Sequence, residues 1–288
     1  MHFSQRNRIS YAKVWNIQKI LTQKERFDCR FSNSGSSANR NHRNSLGKTS
    51  GAQNIFICLL YKGNPFTVKV RKALAKREIG NMLWGSSIVL SEWMFAHSDI
   101  FKGKFSGEID SRQENVQFYC VGKRVLEIGS GLGLLGISAS QFAEEVVLTD
   151  YNDSLVANIS SNIRLNGWKT RQKCSAKILD WDHLDQCEVE GNFDFVIGSE
   201  IVHEPFMGVG VANAIEKFLK PGGSAIILNG SSHNRYGVDK FKECLANKGY
   251  TVTLEKVPQE FKESKLCGLV EETMIVLEMY HVSKVPAE

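Results

Sequence analysis

Lys123-Arg-Val-Leu-Glu-Ile-Gly-Ser-Gly-Leu-Gly-Leu-Leu-Gly136 carries the clearest structural signal in the chain. Its apolar run contains one acid, Glu127, and leads into glycines at alternate positions, 129, 131 and 133. We interpret the stretch as a buried strand, a tight turn and the start of a helix. Because glycine has no Cβ and accepts positive φ, such a turn lets the backbone approach a ligand closely. The pattern predicts a nucleotide-like cofactor at this turn.

Strand-like and helix-like segments alternate on both sides of the turn. The predicted strands cover residues 55–61, 66–70, 124–128, 146–150, 174–179, 193–199, 224–229, 250–257 and 271–282. Residues 80–96 are predicted to form a turn and then a helix. Further helices are predicted over residues 134–143, 153–166, 211–219 and 238–248. Asp153 is expected to cap the third of these helices. The alternation predicts an α/β domain with a mainly parallel sheet, and the last two strands predict an antiparallel hairpin.

The N-terminal segment differs in composition from the rest of the chain. Residues 1–50 hold ten lysines and arginines against two acids, so the formal charge of +5 arises there and the remainder is net negative. Residues 26–53 are poor in large apolar side chains, and we expect them to be disordered. An amphipathic pattern over residues 10–24 fits either a mitochondrial or plastid transit peptide, or a disordered tail on a cytoplasmic protein. We expect a leader at 1–53, a folded domain at 54–288 and a cytoplasmic location.

Composition argues against several classes of function. The longest apolar run, Ile55–Tyr61, is far shorter than the ~20 residues that span a bilayer. The seven cysteines are scattered without a Cys-x-x-Cys pair, which favours reduced thiols in an intracellular protein over a disulfide framework or a zinc site. The net negative charge of the folded part argues against a nucleic-acid partner. We therefore predict no membrane partner and no metal.

Three strand ends carry side chains suited to a nucleoside, since ligands of open α/β sheets bind at the carboxyl ends of strands. The first is the glycine turn. The second is Asp150, 19 residues after Gly131, where a carboxylate accepts hydrogen bonds from two ribose hydroxyls. The third is Asp180-Trp181, an acid that accepts from an adenine amino group and an indole that covers its face.

Two cofactors fit this layout. Residues 131–136 match the G-x-G-x-x-G pattern of dinucleotide-binding proteins, which keeps a nicotinamide-dependent oxidoreductase open. Against this, Glu127 would repel a pyrophosphate at the helix N-terminus and attract the cationic end of a methionine moiety. No second dinucleotide-binding half follows along the chain. We therefore predict S-adenosylmethionine as the cofactor.

Residues of about 80–235 resemble the seven-β-strand, S-adenosylmethionine-dependent protein-lysine methyltransferases of the methyltransferase-16 group. The resemblance rests on residues 83–93, 125–136, 146–152, the asparagines at 158, 162 and 166, and residues 179–181 and 194–205. It implies a Rossmann-like, mostly parallel sheet of seven strands with helices on both faces, and methyl transfer to a protein lysine. It also implies that the cofactor pocket is lined by Trp84, Gly129, Ser130, Gly131, Asp150, Trp181 and Ser199, with Glu127 and Gly133 as further contributors.

The chain departs from this family at the acceptor site. The family commonly has an acid, two residues and then Tyr or Phe after the fourth strand, whereas this chain has Glu200-Ile-Val-His203. We expect Glu200 to hold and align an incoming lysine ammonium. His203 either takes a proton from the amine or only orients its neighbours. His233, Arg235 and Tyr236 are interpreted as a surface loop, with a place in the acceptor channel as the alternative.

Other functions remain open at this level. The acceptor is a protein lysine by resemblance, and a histidine, an RNA or a small molecule is the alternative. A further alternative is a non-catalytic interaction module that the cofactor only stabilises. We expect the protein to be a monomer.

Overall fold

A computed structural model describes residues 52–61, 64–73, 79–101, 123–257 and 276–284. Most of the predicted leader lies outside the described residues, and the boundary expected at residue 53 falls within the first strand. That strand, β1 (Ala52–Tyr61), pairs antiparallel with β2 (Asn64–Ala73) in a separate two-stranded hairpin. The hairpin confirms the two strands that the sequence predicted there.

The central sheet has seven strands. They are β3 (Arg124–Glu127), β4 (Glu145–Asp150), β5 (Cys174–Ile178), β6 (Phe193–Ser199), β7 (Leu219–Gly230), β8 (Tyr250–Lys256) and β9 (Leu277–Lys284). Their order is β5-β4-β3-β6-β7-β9-β8, with β3 to β7 parallel and β9 antiparallel to both of its neighbours. This confirms the mostly parallel sheet and its C-terminal antiparallel hairpin, although residues 271–275 of the predicted last strand lie outside the described residues.

Helices cover both faces of the sheet. They are α1 (Gly85–Ala96), α2 (Leu134–Ala139), α3 (Asp153–Leu165), α4 (Trp168–Lys173), α5 (Pro205–Phe218) and α6 (Gly237–Asn247). Successive strand side chains point to opposite faces. Val125 therefore joins an apolar cluster with α1, α2, α3 and the hairpin, while Leu126 joins one with α5 and α6.

Two helix starts differ from the predictions. Asn152, and not Asp153, caps α3, because the Asn152 Oδ1 accepts a hydrogen bond of 3.0 Å from the backbone N–H of Leu155. Helix α5 begins at Pro205, six residues before the predicted start. Its first turns contain Gly208 and Gly210, which lower helix propensity and hid the helix from sequence analysis. No helix among the described residues has the length and hydropathy needed to cross a membrane.

Candidate functional site

A cavity of about 390 Å³ lies where β3, β4 and β6 end, a size typical of small-molecule sites. The predicted site residues that line it are Trp84, Gly129, Ser130, Gly131, Asp150, Asp180, Trp181, Ser199, Glu200 and His203. Glu127 and Gly133 do not line it. The sequence analysis missed the further lining residues from 80–87 and from the first turn of α5, because their approach depends on packing between distant segments.

The glycine turn between β3 and α2 is held against β4. Ser130 donates its backbone N–H to the Thr149 carbonyl at 2.8 Å, and the Ser130 Oγ accepts from the Thr149 backbone N–H at 3.0 Å. Gly131 has a left-handed φ of +54°, and a Cβ there would lie 3.0 Å from the Gly80 carbonyl oxygen. A side chain at residue 131 would therefore be strained and crowded. The turn gives the cavity a floor of exposed backbone.

Asp150 closes this floor from the end of β4. Its Oδ2 accepts from the Gly131 backbone N–H at 2.8 Å and its Oδ1 accepts from the Tyr151 backbone N–H at 2.9 Å. Burial raises the pKa of the Asp150 carboxyl above its ordinary value. A carboxylate has about four lone-pair positions, so both oxygens keep capacity for another donor. The arrangement fits the predicted contact with two ribose hydroxyls.

Glu127 lies behind the turn and not in the cavity wall. Its Oε2 accepts from the Gly136 backbone N–H at 3.0 Å, and burial raises the pKa of the Glu127 carboxyl to about 8. Burial thus favours the neutral form of this carboxyl. The predicted attraction between Glu127 and a cationic methionine end stays a prediction. Gly133, with φ of +79°, is likewise behind the wall and leads into α2.

Asp180 and Trp181 form the wall that follows β5. The Asp180 Oδ1 accepts from the Asp182 backbone N–H at 3.0 Å, which holds this short loop. The indole of Trp181 packs on α5, where a Cβ added to Gly210 would lie 2.4 Å from the indole Cδ1. The glycine in α5 thus lets the indole lie between that helix and the cavity. A flat apolar ring in this place suits an adenine face.

A further part of the cavity wall contains aromatic rings. The rings of Trp84 and His203 meet edge-on with their centroids 5.9 Å apart. Phe206 and Met207, from the first turn of α5, complete this part, and Phe206 is largely exposed at the rim. We call these four residues the aromatic mouth. It can surround an aliphatic stem that reaches in from solvent.

Glu200 does not offer a free carboxylate to the mouth. Its side chain is fully buried, its Oε1 accepts from the Gly230 backbone N–H, and its Oε2 forms an ion pair with the Arg235 guanidinium. This pairing speaks against a direct contact between Glu200 and an incoming ammonium, and the predicted role of Glu200 stays a prediction. Arg235, interpreted from sequence as a surface residue, has a side chain that is only 16% exposed. The rule that could have indicated this ion pair from the sequence is that a buried acid requires a cationic partner.

The comparisons with known proteins agree with this geometry. The sequence profile of the lysine methyltransferase family matches residues 64–242, which is more than half of the chain. The chain belongs to the lysine methyltransferase family. This membership confirms the predicted methyltransferase class and the S-adenosylmethionine cofactor.

Two curated relatives illustrate the position of this lysine methyltransferase family member. The protein-lysine N-methyltransferase EFM2 of Saccharomyces cerevisiae is 29% identical over 164 residues, which cover 53% of this chain and 37% of the relative. The protein-lysine methyltransferase METTL21E of Mus musculus is 30% identical over 136 residues, which cover 44% of this chain and 47% of the relative. The chain thus matches less than half the length of either relative.

Among solved structures, a similar fold occurs in the glycopeptide N-methyltransferase MtfA in complex with S-adenosylmethionine. The TM-score is 0.45 at 14% identity, and the match covers 57% of this chain and 82% of that one.

Proposed function

We propose that this protein transfers methyl groups from S-adenosylmethionine to a lysine side chain of a protein substrate. The observation that carries the proposal is the convergence on one cavity of the glycine turn, Asp150, Trp181 and the aromatic mouth, in a chain of the lysine methyltransferase family. Curated relatives named as protein-lysine methyltransferases support the same acceptor.

The residues of the cavity floor and wall fit the cofactor. Asp150 would accept from the ribose hydroxyls, while Trp181 and Asp180 would hold the adenine. The exposed backbone of residues 129–131 would contact the methionine moiety. When bound, S-adenosylmethionine supplies a methyl carbon that is electrophilic because it is attached to a positively charged sulfur.

The aromatic mouth supports lysine as the acceptor. The long apolar stem of lysine suits the ring of Phe206 and an edge of Trp84, which the family resemblance assigned to the cofactor pocket. An apolar environment favours the neutral, nucleophilic amine over the ammonium. The His203 ring lies in this wall, within reach of an amine that enters past Phe206. The protein thus aligns the amine and excludes water.

The proposal is tested by methyl transfer from labelled S-adenosylmethionine to proteins of a cell extract, followed by amino-acid analysis of the labelled band. We expect methyl-lysine, and we expect the label to disappear with Asp150→Ala. Label in methyl-histidine or in RNA would contradict the lysine proposal. Calorimetric titration separates the cofactors, because we expect S-adenosylhomocysteine to bind and NADH not to bind.

A further inference from the structure

The turn after β6 has an unusual backbone at its first residue. Glu200 has φ of +52°, the only left-handed non-glycine backbone among the described residues. For a residue with a Cβ this conformation costs on the order of 1 kcal/mol, and it persists where the surroundings hold it. The Glu200 backbone N–H donates to the Leu228 carbonyl at 2.9 Å, so the turn is anchored to β7.

The Glu200 side chain gives the turn a second anchor. Arg235 lies on the loop between β7 and α6, and its Nε and Nη2 both donate to the Glu200 Oε2, the former at 2.8 Å. Gly230, at the end of β7, donates its backbone N–H to the other carboxylate oxygen. A buried carboxylate is stable only when such partners satisfy it. Arg235 therefore supplies the charge that lets Glu200 stay buried.

The anchored turn also orients His203. The His203 Nε2 lies 2.8 Å from the Glu200 carbonyl oxygen and 3.7 Å from the Glu200 Oε2. A carbonyl oxygen only accepts hydrogen bonds, so the Nε2 carries the proton and donates. In the neutral form of the ring, the lone pair then lies on Nδ1. The tautomer of a residue in the aromatic mouth thus depends on where residue 200 holds its carbonyl.

We propose that Arg235 is a positioning residue of the acceptor site, which holds Glu200 so that His203 keeps its Nδ1 free to accept a hydrogen bond from the incoming amine. This rests on the proposed methyl transfer to lysine. Arg235 and Glu200 touch neither substrate nor cofactor in this role. They act through the backbone at residue 200 and the His203 ring, and Glu200 serves as the link between two loops.

The experiment is a double-mutant cycle in the full chain. Arg235→Gln should lower kcat by about 10- to 100-fold, the loss typical of a displaced catalytic group, with the Kd for S-adenosylhomocysteine within twofold of wild type. His203→Gln should lose a similar factor. Because Arg235 acts through His203, the double variant should be no slower than His203→Gln alone. Multiplied losses, or an equal rise in the Kd for S-adenosylhomocysteine, would overturn the proposal.

Two further variants serve as controls for this experiment. Arg235→Lys keeps the charge but loses the two-pronged geometry, so its kcat should fall by less than about tenfold, and it carries the test if Arg235→Gln does not fold. Lys240→Gln removes an exposed cation on α6 that pairs with Glu243, and its kcat should equal that of wild type. A loss for Lys240→Gln as large as that for Arg235→Gln would also overturn the proposal.

An NMR measurement separates this proposal from the proposed function. Long-range ¹H–¹⁵N spectra report which ring nitrogen of a histidine carries the proton, and the His203→Gln variant assigns the signal. We expect the Nε2–H tautomer in the wild-type protein and a mixed or altered signal in Arg235→Gln. An unchanged His203 signal would contradict the positioning role, whether or not the wild-type protein methylates lysine.

Discussion

Asp150 serves the backbone and the cofactor site with the same two oxygens. One oxygen accepts from Gly131 and the other from Tyr151, and both belong to the cavity floor. A strand-end carboxylate therefore shapes the glycine turn before any ligand binds. The ribose contact stays a prediction, and it would add to this structural role.

Replacement of Asp150 by asparagine tests both roles. An amide group must direct its N–H₂ toward one of the two backbone donors, and the variant also loses charge-assisted hydrogen bonds, each worth about 1.5–3 kcal/mol. We expect the Kd for S-adenosylhomocysteine to rise by about 10- to 100-fold, as measured by calorimetry. Asp153→Asn, which alters an exposed acid three residues further on, is the matched control and should bind as wild type. Unchanged binding by Asp150→Asn would exclude the ribose contact.

Glu127 makes stability depend on pH. Its folded pKa of about 8 lies above the ordinary value of 4.5 because the carboxyl is buried. Its contribution to stability is therefore complete below pH 4.5 and is lost as the pH rises through 8. Between these values the folded state retains a proton that the unfolded state releases, so the free energy of unfolding falls by up to about 1.4 kcal/mol per pH unit.

The pH effect is measured by urea denaturation at pH 5.5, 6.5 and 7.5 with the Glu127→Gln variant. Glutamine stays neutral and can still accept from Gly136, so we expect a shallower decline of the unfolding free energy than in wild type. Glu144→Gln changes a nearby exposed acid and should decline as wild type does. Equal slopes for all three proteins would refute the assignment to Glu127.

At the scale of elements, two asparagine side chains, one in helix α3 and one at its C-cap, complete the outer edge of β2. The Asn166 amide accepts from the Lys69 backbone N–H at 3.0 Å and donates to the Lys69 carbonyl at 2.9 Å. One helical turn earlier, Asn162 makes the same pair of contacts with Arg71 and also donates to the Leu132 carbonyl of the glycine turn. The amides replace a neighbouring strand, and they connect the hairpin to the floor of the cavity.

Asn166→Ala should detach this edge of the hairpin. The variant loses three hydrogen bonds, those with Lys69 and one to the Asn162 carbonyl, and leaves β2 backbone groups without these partners. We expect the free energy of unfolding to fall by about 2–3 kcal/mol, with faster amide exchange at Lys69. Ser161→Ala, at a partly exposed position on the same helix, should change stability by less than about 0.5 kcal/mol. Slow exchange at Lys69 in Asn166→Ala would contradict this arrangement.

At the scale of the whole molecule, the hairpin belongs to the folded domain. Ile57 and Leu59 of β1 are only 1% exposed, and they pack in the cluster that contains α1 and α2. Strand β1 is thus a part of the domain and not of the leader.

The monomeric state stays a prediction, which sedimentation equilibrium of the full chain measures.

Two deletions that differ by β1 test the boundary. Removal of residues 1–51 should preserve cooperative unfolding and the binding of S-adenosylhomocysteine. Removal of residues 1–63 also deletes Ile57 and Leu59, whose burial is worth about 1.5–3 kcal/mol each, so we expect a loss of about 3 kcal/mol or more, or no folding. Failure of the shorter deletion to fold would refute the view of residues 1–51 as a separate leader.

Patterns within short segments of the sequence were enough to predict the sheet and the place of the site on it. Strand and helix periodicity, the alternate glycines and the acid at the end of β4 are properties of short segments, and they predicted the sheet, the turn and the place of Asp150 in the cavity wall. Parallel topology then brings these strand ends together without further information. Nine of the ten predicted site residues that line the cavity lie at or just after these strand ends, whereas Trp84 precedes α1 and was predicted from the family resemblance.

Contacts between residues that are distant in sequence could be identified only from the tertiary structure. Whether Glu200 binds substrate or stays buried depends on Arg235, which arrives on another loop, and whether Glu127 is charged depends on how deeply the turn covers it. The pairing of Asn162 with Arg71 joins residues 91 positions apart. The charge of a buried acid depends on its desolvation and on its ion-pair and hydrogen-bond partners. Both are set by the atoms that surround the acid in three dimensions, and not by its neighbours along the chain.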